Sequence, residues 1–190
     1  MIFEILEQFS LVAGLVYIWL QVKQNRWMWP VDILVCIATI CVFAHQGLWA
    51  SMGLNVYYLV MGFVGLAAWG KDEAEAEKGT LRLRHLPVKT ALVSLAAFVA
   101  VTVGLYFILR ALNDPSPVFD ALVGGSGIVG TVWLVRCYLG NWWIWIASDL
   151  LSVVMCLMQG LYGMTALYAV YMIMAIVGYI QWRRDGQYLD

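Results

Sequence analysis

The chain has 190 residues, 63% of them hydrophobic and 12% charged, with a formal net charge of -1 and a mean hydropathy of +0.81. A soluble domain has about half its residues apolar and about a quarter charged, so this composition excludes one and calls for lipid as solvent. The near-neutral balance leaves no basic stripe for nucleic acid or for an anionic membrane surface.

Spanning about 30 Å of hydrocarbon takes about 20 mainly apolar residues, and seven such runs follow one another. The first is predicted at 3–22. Its start, MIFEILEQF, carries Glu4 and Glu7 where a signal peptide would be basic, and no small-residue cleavage site follows, so the helix is expected to stay. The second, 28–44, opens at Trp29-Pro30; the third covers 51–69. KDEAEAEKGTLRLRHLPVK (71–89) is the one long polar stretch and reads as a loop. The fourth and fifth helices, 90–112 and 118–138, are separated by Pro115 and Pro117; the sixth and seventh cover 142–158 and 161–182. Cys36, Cys41, Cys137 and Cys156 lie in or beside apolar segments at no metal-like spacing and read as buried thiols, so no metal or cofactor is expected. The expected fold is an all-α integral membrane protein with seven transmembrane helices.

Charge sets the expected orientation. Lys23, Arg26, Lys71, Lys78, Arg82, Arg84, Lys89, Arg136, Arg183 and Arg184 fall on one side of the membrane, and only Arg110 on the other. By the positive-inside rule the first set is cytoplasmic, which puts the N-terminus outside and the C-terminus inside.

An internal repeat organises the chain. Shifted by 113 positions, QGLW (46–49) falls on QGLY (159–162), and the register continues without a gap through Gly14 on Gly127, Trp29 on Trp142, Tyr58 on Tyr171, Gly65 on Gly178 and Trp69 on Trp182. Aliphatic matches arise by chance in apolar sequence; these aromatic and glycine pairs in one register do not. Residues 1–70 and 113–183 therefore read as two copies of a three-helix unit, with a cytoplasmic loop at 71–89, a linker helix at 90–112 and a cytoplasmic tail at 184–190. The plan is 3+1+3 with parallel repeats, which in some transporters places the substrate near the midplane between the halves.

Within the sixth helix, Trp142, Trp145 and Asp149 are spaced i, i+3, i+7 and share a face. A carboxylate near the middle of a spanning helix costs about 2.5 to 3.5 kcal/mol on insertion scales, so it needs a partner or a purpose. Two indoles and a carboxylate suit a flat, cationic, aromatic solute through stacking, cation–π attraction and a charged acceptor. The plainer readings are interfacial anchors for Trp142 and Trp143, and for Asp149 a polar contact between helices. The repeat favours a functional role, because the counterpart of Asp149 is Cys36. Asp32, the counterpart of Trp145, reads as a water-accessible acid near a helix end. Asn55 and Tyr58 on the third helix, and Tyr168 and Tyr171 on the seventh, are taken as secondary contacts; Gln8 could reach the path from the first helix. Gly14, Gly127 and the GGSG run at 124–127 read as close helix packing or a hinge.

Trp142-x-x-Trp145-x-x-x-Asp149 resembles the W-x-x-W-x-x-x-N motif of the nicotinamide riboside (PnuC-type) vitamin transporters, and the 3+1+3 plan, the Gln-Gly-Leu turn and the chain length are similar over essentially the whole sequence. The resemblance implies a homotrimer of SWEET-like protomers in a bacterial inner membrane. Such protomers carry a dephosphorylated vitamin by facilitated diffusion, and a cytoplasmic kinase then traps it. The motif carries substrate contact over to Trp142, Trp145 and Asp149. Where the family has asparagine this chain has Asp149, an acceptor-only anion. That favours the cationic thiazolium and donating aminopyrimidine of thiamine, and so the thiamine (PnuT) branch. The alternative is nicotinamide riboside, whose pyridinium is also cationic; uncharged riboflavin fits the acid least. A membrane enzyme lacks support, since there is no P-loop, HExxH or G-x-S-x-G and the two histidines, His45 and His85, fall on opposite sides. A non-transporting sensor or scaffold subunit would not need the Trp–Trp–Asp stripe.

Overall fold

The computed structural model describes residues 2–75 and 81–188; Lys78 and Gly79, and the side chains of Glu4, Glu7 and Lys71, lie outside the described residues. Seven helices follow in order: α1 Ile2–Val22, α2 Met28–Gln46, α3 Trp49–Glu75, α4 Val88–Ala111, α5 Pro117–Val135, α6 Asn141–Met158 and α7 Tyr162–Asp185. Among the described residues six helices, α2 to α7, are long and apolar enough to cross a membrane, and α1 carries the apolar run Gln8–Val22.

One expectation is corrected: the polar segment is not all loop, since α3 continues to Glu75, because Lys, Glu and Ala are good helix formers once the chain leaves lipid. The fold is all-helical as expected; two three-residue strands, β1 (Leu81–Leu83) before α4 and β2 (Gly186–Tyr188) after α7, are minor additions.

The chain forms two compact units, residues 1–82 and 83–190. In the first, α1 packs on α2 and α2 on α3. The α1–α2 turn puts Gln24 at φ 48°, and the α2 C-cap, Gly47, has φ 73°, a left-handed conformation that glycine adopts without a Cβ penalty. Gln24 then holds Arg82 twice, its Nε2 donating to the Arg82 carbonyl at 2.7 Å and its Oε1 accepting from the Arg82 N–H at 2.6 Å. At the centre Trp29 is fully buried, edge-on to Trp69 at 5.3 Å and 84°. A Cβ on Gly65 would collide with the Trp29 ring.

The second unit repeats these features 113 positions later. Cys137 has φ 55° and Gly160 φ 73°. Trp142 is fully buried and edge-on to Trp182 at 5.2 Å and 88°, and a Cβ on Gly178 would collide with its ring. Thr39 bonds back to the Val35 carbonyl at 2.7 Å, as its counterpart Ser152 does to Ser148 at 3.0 Å. Here α4 packs on α5: the Trp133 indole donates to Ser94 at 2.9 Å, and Gly125 leaves room for Thr102.

Candidate functional site

The turn at Arg136–Gly140 brings the chain back into α6, whose first residues supply the predicted motif. The three residues stay on one continuous helix, but their surroundings differ. Trp142 presses on Gly178 and Trp182 of α7, so the protein itself occupies the ring. The corresponding Trp29–Gly65–Trp69 packing in the first unit gives this arrangement a structural reason: it is the core of the repeated unit. Trp145 is half-buried, its Cε2–Cζ2 edge 3.3 Å from where a Cβ on Gly130 of α5 would lie, and its Nε1 is buried. Trp143 is 58% exposed and tilted against Tyr179 at 5.1 Å.

Asp149 lies two turns into α6 and is half-buried. Among the described residues no side chain donates a hydrogen bond to it. It stands within electrostatic reach of the Tyr168 and Tyr171 hydroxyls on α7, whose rings meet edge-on at 6.3 Å. The structure thus brings Asp149, Tyr168 and Tyr171 together, with Trp145 one helical turn away on the Asp149 side of α6. Asp120, in the first turn of α5, is also within reach of Tyr168.

The remaining predicted residues belong to the first unit. In the first unit Asn55 is half-buried and its Nδ2 donates to the carbonyl of Ser51 in its own helix at 3.0 Å. Tyr58 is half-buried with its ring 5.6 Å from Tyr57. Gln8 is exposed on α1 beside Ile5, Phe9 and Val12. Asp32 is not a free helix-end acid: its Oδ1 accepts a long contact from the Cys36 thiol at 3.9 Å and its Oδ2 faces Gly62. Gly62 permits this approach because a Cβ there would come 2.9 Å from Ile33 and 3.3 Å from the carboxylate.

Three polar residues of α6 escape motif reasoning. Asn141 is fully buried, Ser148 is buried and Ser152 is buried. They share with Trp145 and Asp149 the i, i+4, i+7, i+8, i+11 spacing of one helix face. The signal was available in the repeat, because Asn141 and Ser148 fall on the apolar Met28 and Val35.

A family model described as nicotinamide mononucleotide transporter matches residues 4–184. The chain belongs to the nicotinamide mononucleotide transporter family. That membership makes it a multi-pass membrane transporter and not an enzyme. Among its relatives, the nicotinamide riboside transporter PnuC of Escherichia coli is 28% identical over 167 residues, covering 74% of this chain and 69% of the relative. PnuC of Neisseria mucosa is 29% identical over 155 residues, covering 74% and 59%. The riboflavin/roseoflavin transporter RibM of Streptomyces davaonensis is 25% identical over 182 residues, covering 93% and 85%. The crystal structure of the vitamin B3 transporter PnuC superposes with a TM-score of 0.73 at 23% identity, covering 94% of this chain and 80% of that one, and so shares the family's fold.

Proposed function

We propose that this member of the nicotinamide mononucleotide transporter family mediates facilitated diffusion of nicotinamide riboside. The observation that carries the reading is Asp149: a carboxylate inside a spanning helix, without a donor among the described residues, beside Tyr168 and Tyr171 and one turn from Trp145. A cationic pyridinium would balance its charge, ribose hydroxyls would donate to it, and the aromatic neighbours would supply cation–π attraction of about 0.5 to 2 kcal/mol each when desolvated. Two PnuC relatives carry nicotinamide riboside in their names, which moves the balance from thiamine to the riboside. Thiamine is kept as a second reading on one observation, the acid at position 149, because an acceptor-only anion suits its thiazolium and amino group.

In this reading α1 to α3 and α5 to α7 are two parallel repeats joined by α4 in a SWEET-like 3+1+3 plan, supported by the matched turns and Trp–Gly–Trp packing 113 residues apart. The protomer acts as a homotrimer in a bacterial inner membrane, and a cytoplasmic kinase phosphorylates the vitamin after entry. The outward apolar side of α4, with Leu92, Val99 and Phe107 exposed, suits lipid and a neighbouring copy.

The substrate test is thermal stabilisation of the purified protein by nicotinamide riboside, thiamine and riboflavin in parallel. A ligand at 100 times its dissociation constant stabilises by about 2.7 kcal/mol. Nicotinamide riboside is expected to raise the midpoint most; stabilisation by none of the three would remove the reading. Orientation has its own check. Cysteines introduced at Asn113 or Gln46 should react with an impermeant reagent in intact cells, and one at Gly79 should not; labelling at Gly79 would invert the topology.

A further inference from the structure

Among the described residues, three of the buried polar atoms without a hydrogen-bond partner belong to the start of α6: Asn141 Oδ1, Trp142 Nε1 and Trp145 Nε1. The repeat sorts them. Trp29 Nε1, the counterpart of Trp142 Nε1, is equally unpartnered, so that vacancy belongs to the shared scaffold. The other two have no equivalent in the first unit, where Met28 and Asp32 stand in their places.

Asn141 is fully buried, and its orientation is set, because its Nδ2 donates to the Tyr138 carbonyl at 2.7 Å. Oδ1 is therefore the atom left over, an acceptor without a donor. The turn does not need an amide here. Met28, equally buried, follows the same left-handed turn, and its backbone N–H donates to Asn25 at 3.0 Å just as that of Asn141 donates to Tyr138 at 3.0 Å. Trp145 lies four residues on, where side chains of one helix face are about 5 to 6 Å apart at Cβ. Its Nε1 is a donor without an acceptor. A buried polar atom left unpaired is costly, and natural proteins keep such atoms chiefly where something else completes them.

We infer that Asn141 Oδ1 and Trp145 Nε1–H form an amide-reading pair that selects the substrate by a planar edge carrying one N–H donor and one acceptor. The inference rests on the transport reading above and deepens it. The carboxamide of nicotinamide riboside presents such an edge: its NH2 donates to Asn141, and its oxygen accepts from Trp145. Asp149, a further turn along, then takes the cationic ring and ribose. The carboxamide end of the vitamin lies toward the Asn141 end of α6, and specificity comes from both ends of the molecule. A site built to hydrogen-bond a substituent rejects the analogue lacking it, because its own buried groups then stay unpaired.

The test compares nicotinamide riboside with the same pyridinium riboside lacking its carboxamide, by titration of the full chain purified in detergent. The parent should prefer the amide by about 10-fold or more. Asn141→Met, which installs the residue of the first unit, should bring that ratio close to one while leaving the affinity for the analogue unchanged. Trp145→Phe, which removes the N–H and keeps a ring, should also bring the ratio close to one, while weakening both ribosides through the poorer cation–π face. Should Asn141→Met fail to fold, the indole N–H resonance of Trp145, followed in nitrogen-15-labelled parent, must shift with nicotinamide riboside and not with the analogue. A parent that binds neither riboside removes the nicotinamide riboside reading itself. A parent that binds both equally, or an Asn141→Met protein with the parental preference, overturns the amide-reading pair and leaves the transport reading standing.

Discussion

Trp142→Ala is expected to destabilise the protein by about 3 to 5 kcal/mol, the range for emptying an aromatic site in a packed core. The ring is fully buried, held edge-on by Trp182, and seated where Gly178 leaves its own side-chain volume vacant. The converse substitution acts through the same contact. Gly178→Ala would drive a methyl into the Trp142 ring, closer than real Cβ atoms come, so the indole must shift, at about 1 to 3 kcal/mol for overpacking. Because the two residues touch, Gly178→Ala combined with Trp142→Phe should cost less than the sum of the single changes. Trp143→Ala, at a position 58% exposed, should stay within about 0.5 kcal/mol of the parent. Thermal unfolding in one detergent checks all four. A Trp142→Ala protein with the parental midpoint and only weakened ligand binding would show that the indole serves the substrate and not the fold.

That expectation marks where the sequence is legible and where it is not. The seven helices could be read because each needs only a run of apolar residues with polar or proline punctuation, and α4, with Pro115 and Pro117 beyond its end, is a case in point. The continuation of α3 to Glu75 was hidden by the same method, since a charged segment that leaves lipid looks like a loop even when Lys, Glu and Ala favour helix. At the site, spacing correctly placed Trp142, Trp145 and Asp149 on neighbouring parts of α6, but spacing cannot say what faces a side chain. Trp142 faces Gly178, which is 36 positions away along the chain. A signal for its role was nevertheless present. The repeat aligned Trp29, Gly65 and Trp69 with Trp142, Gly178 and Trp182, and those six residues are the two packing clusters. Residues that match between the copies hold the scaffold, whereas residues that differ, Asn141 against Met28, Trp145 against Asp32 and Asp149 against Cys36, are where the second unit departs from it.

Asp149→Asn separates the two substrates that the acid leaves in contention. The substitution preserves size and one acceptor oxygen and removes the charge. The carboxylate lies inside a spanning helix and has no donor among the described residues, so the amide should leave the unliganded protein at least as stable. Ligand binding should respond in opposite directions. For thiamine, loss of a charge-assisted hydrogen bond and of the counter-charge to the thiazolium should weaken binding by about 1.5 to 3 kcal/mol, roughly 10- to 150-fold. For nicotinamide riboside, an amide both accepts from and donates to ribose hydroxyls, and the lost attraction to the pyridinium is offset by that second hydrogen bond and by the lower cost of burying a neutral group. Riboside affinity should therefore hold or rise. The measurement is a pair of titrations on the purified parent and Asp149→Asn proteins, with unfolding midpoints recorded beside them. A variant that loses thiamine yet binds the riboside as well as the parent shows that the carboxylate serves thiamine's charge and is not required by the riboside. If the midpoint instead falls sharply and both vitamins weaken together, Asp149 is a structural residue of the α6–α7 packing, and the recognition of the vitamin must be sought at Trp145 and the tyrosines alone.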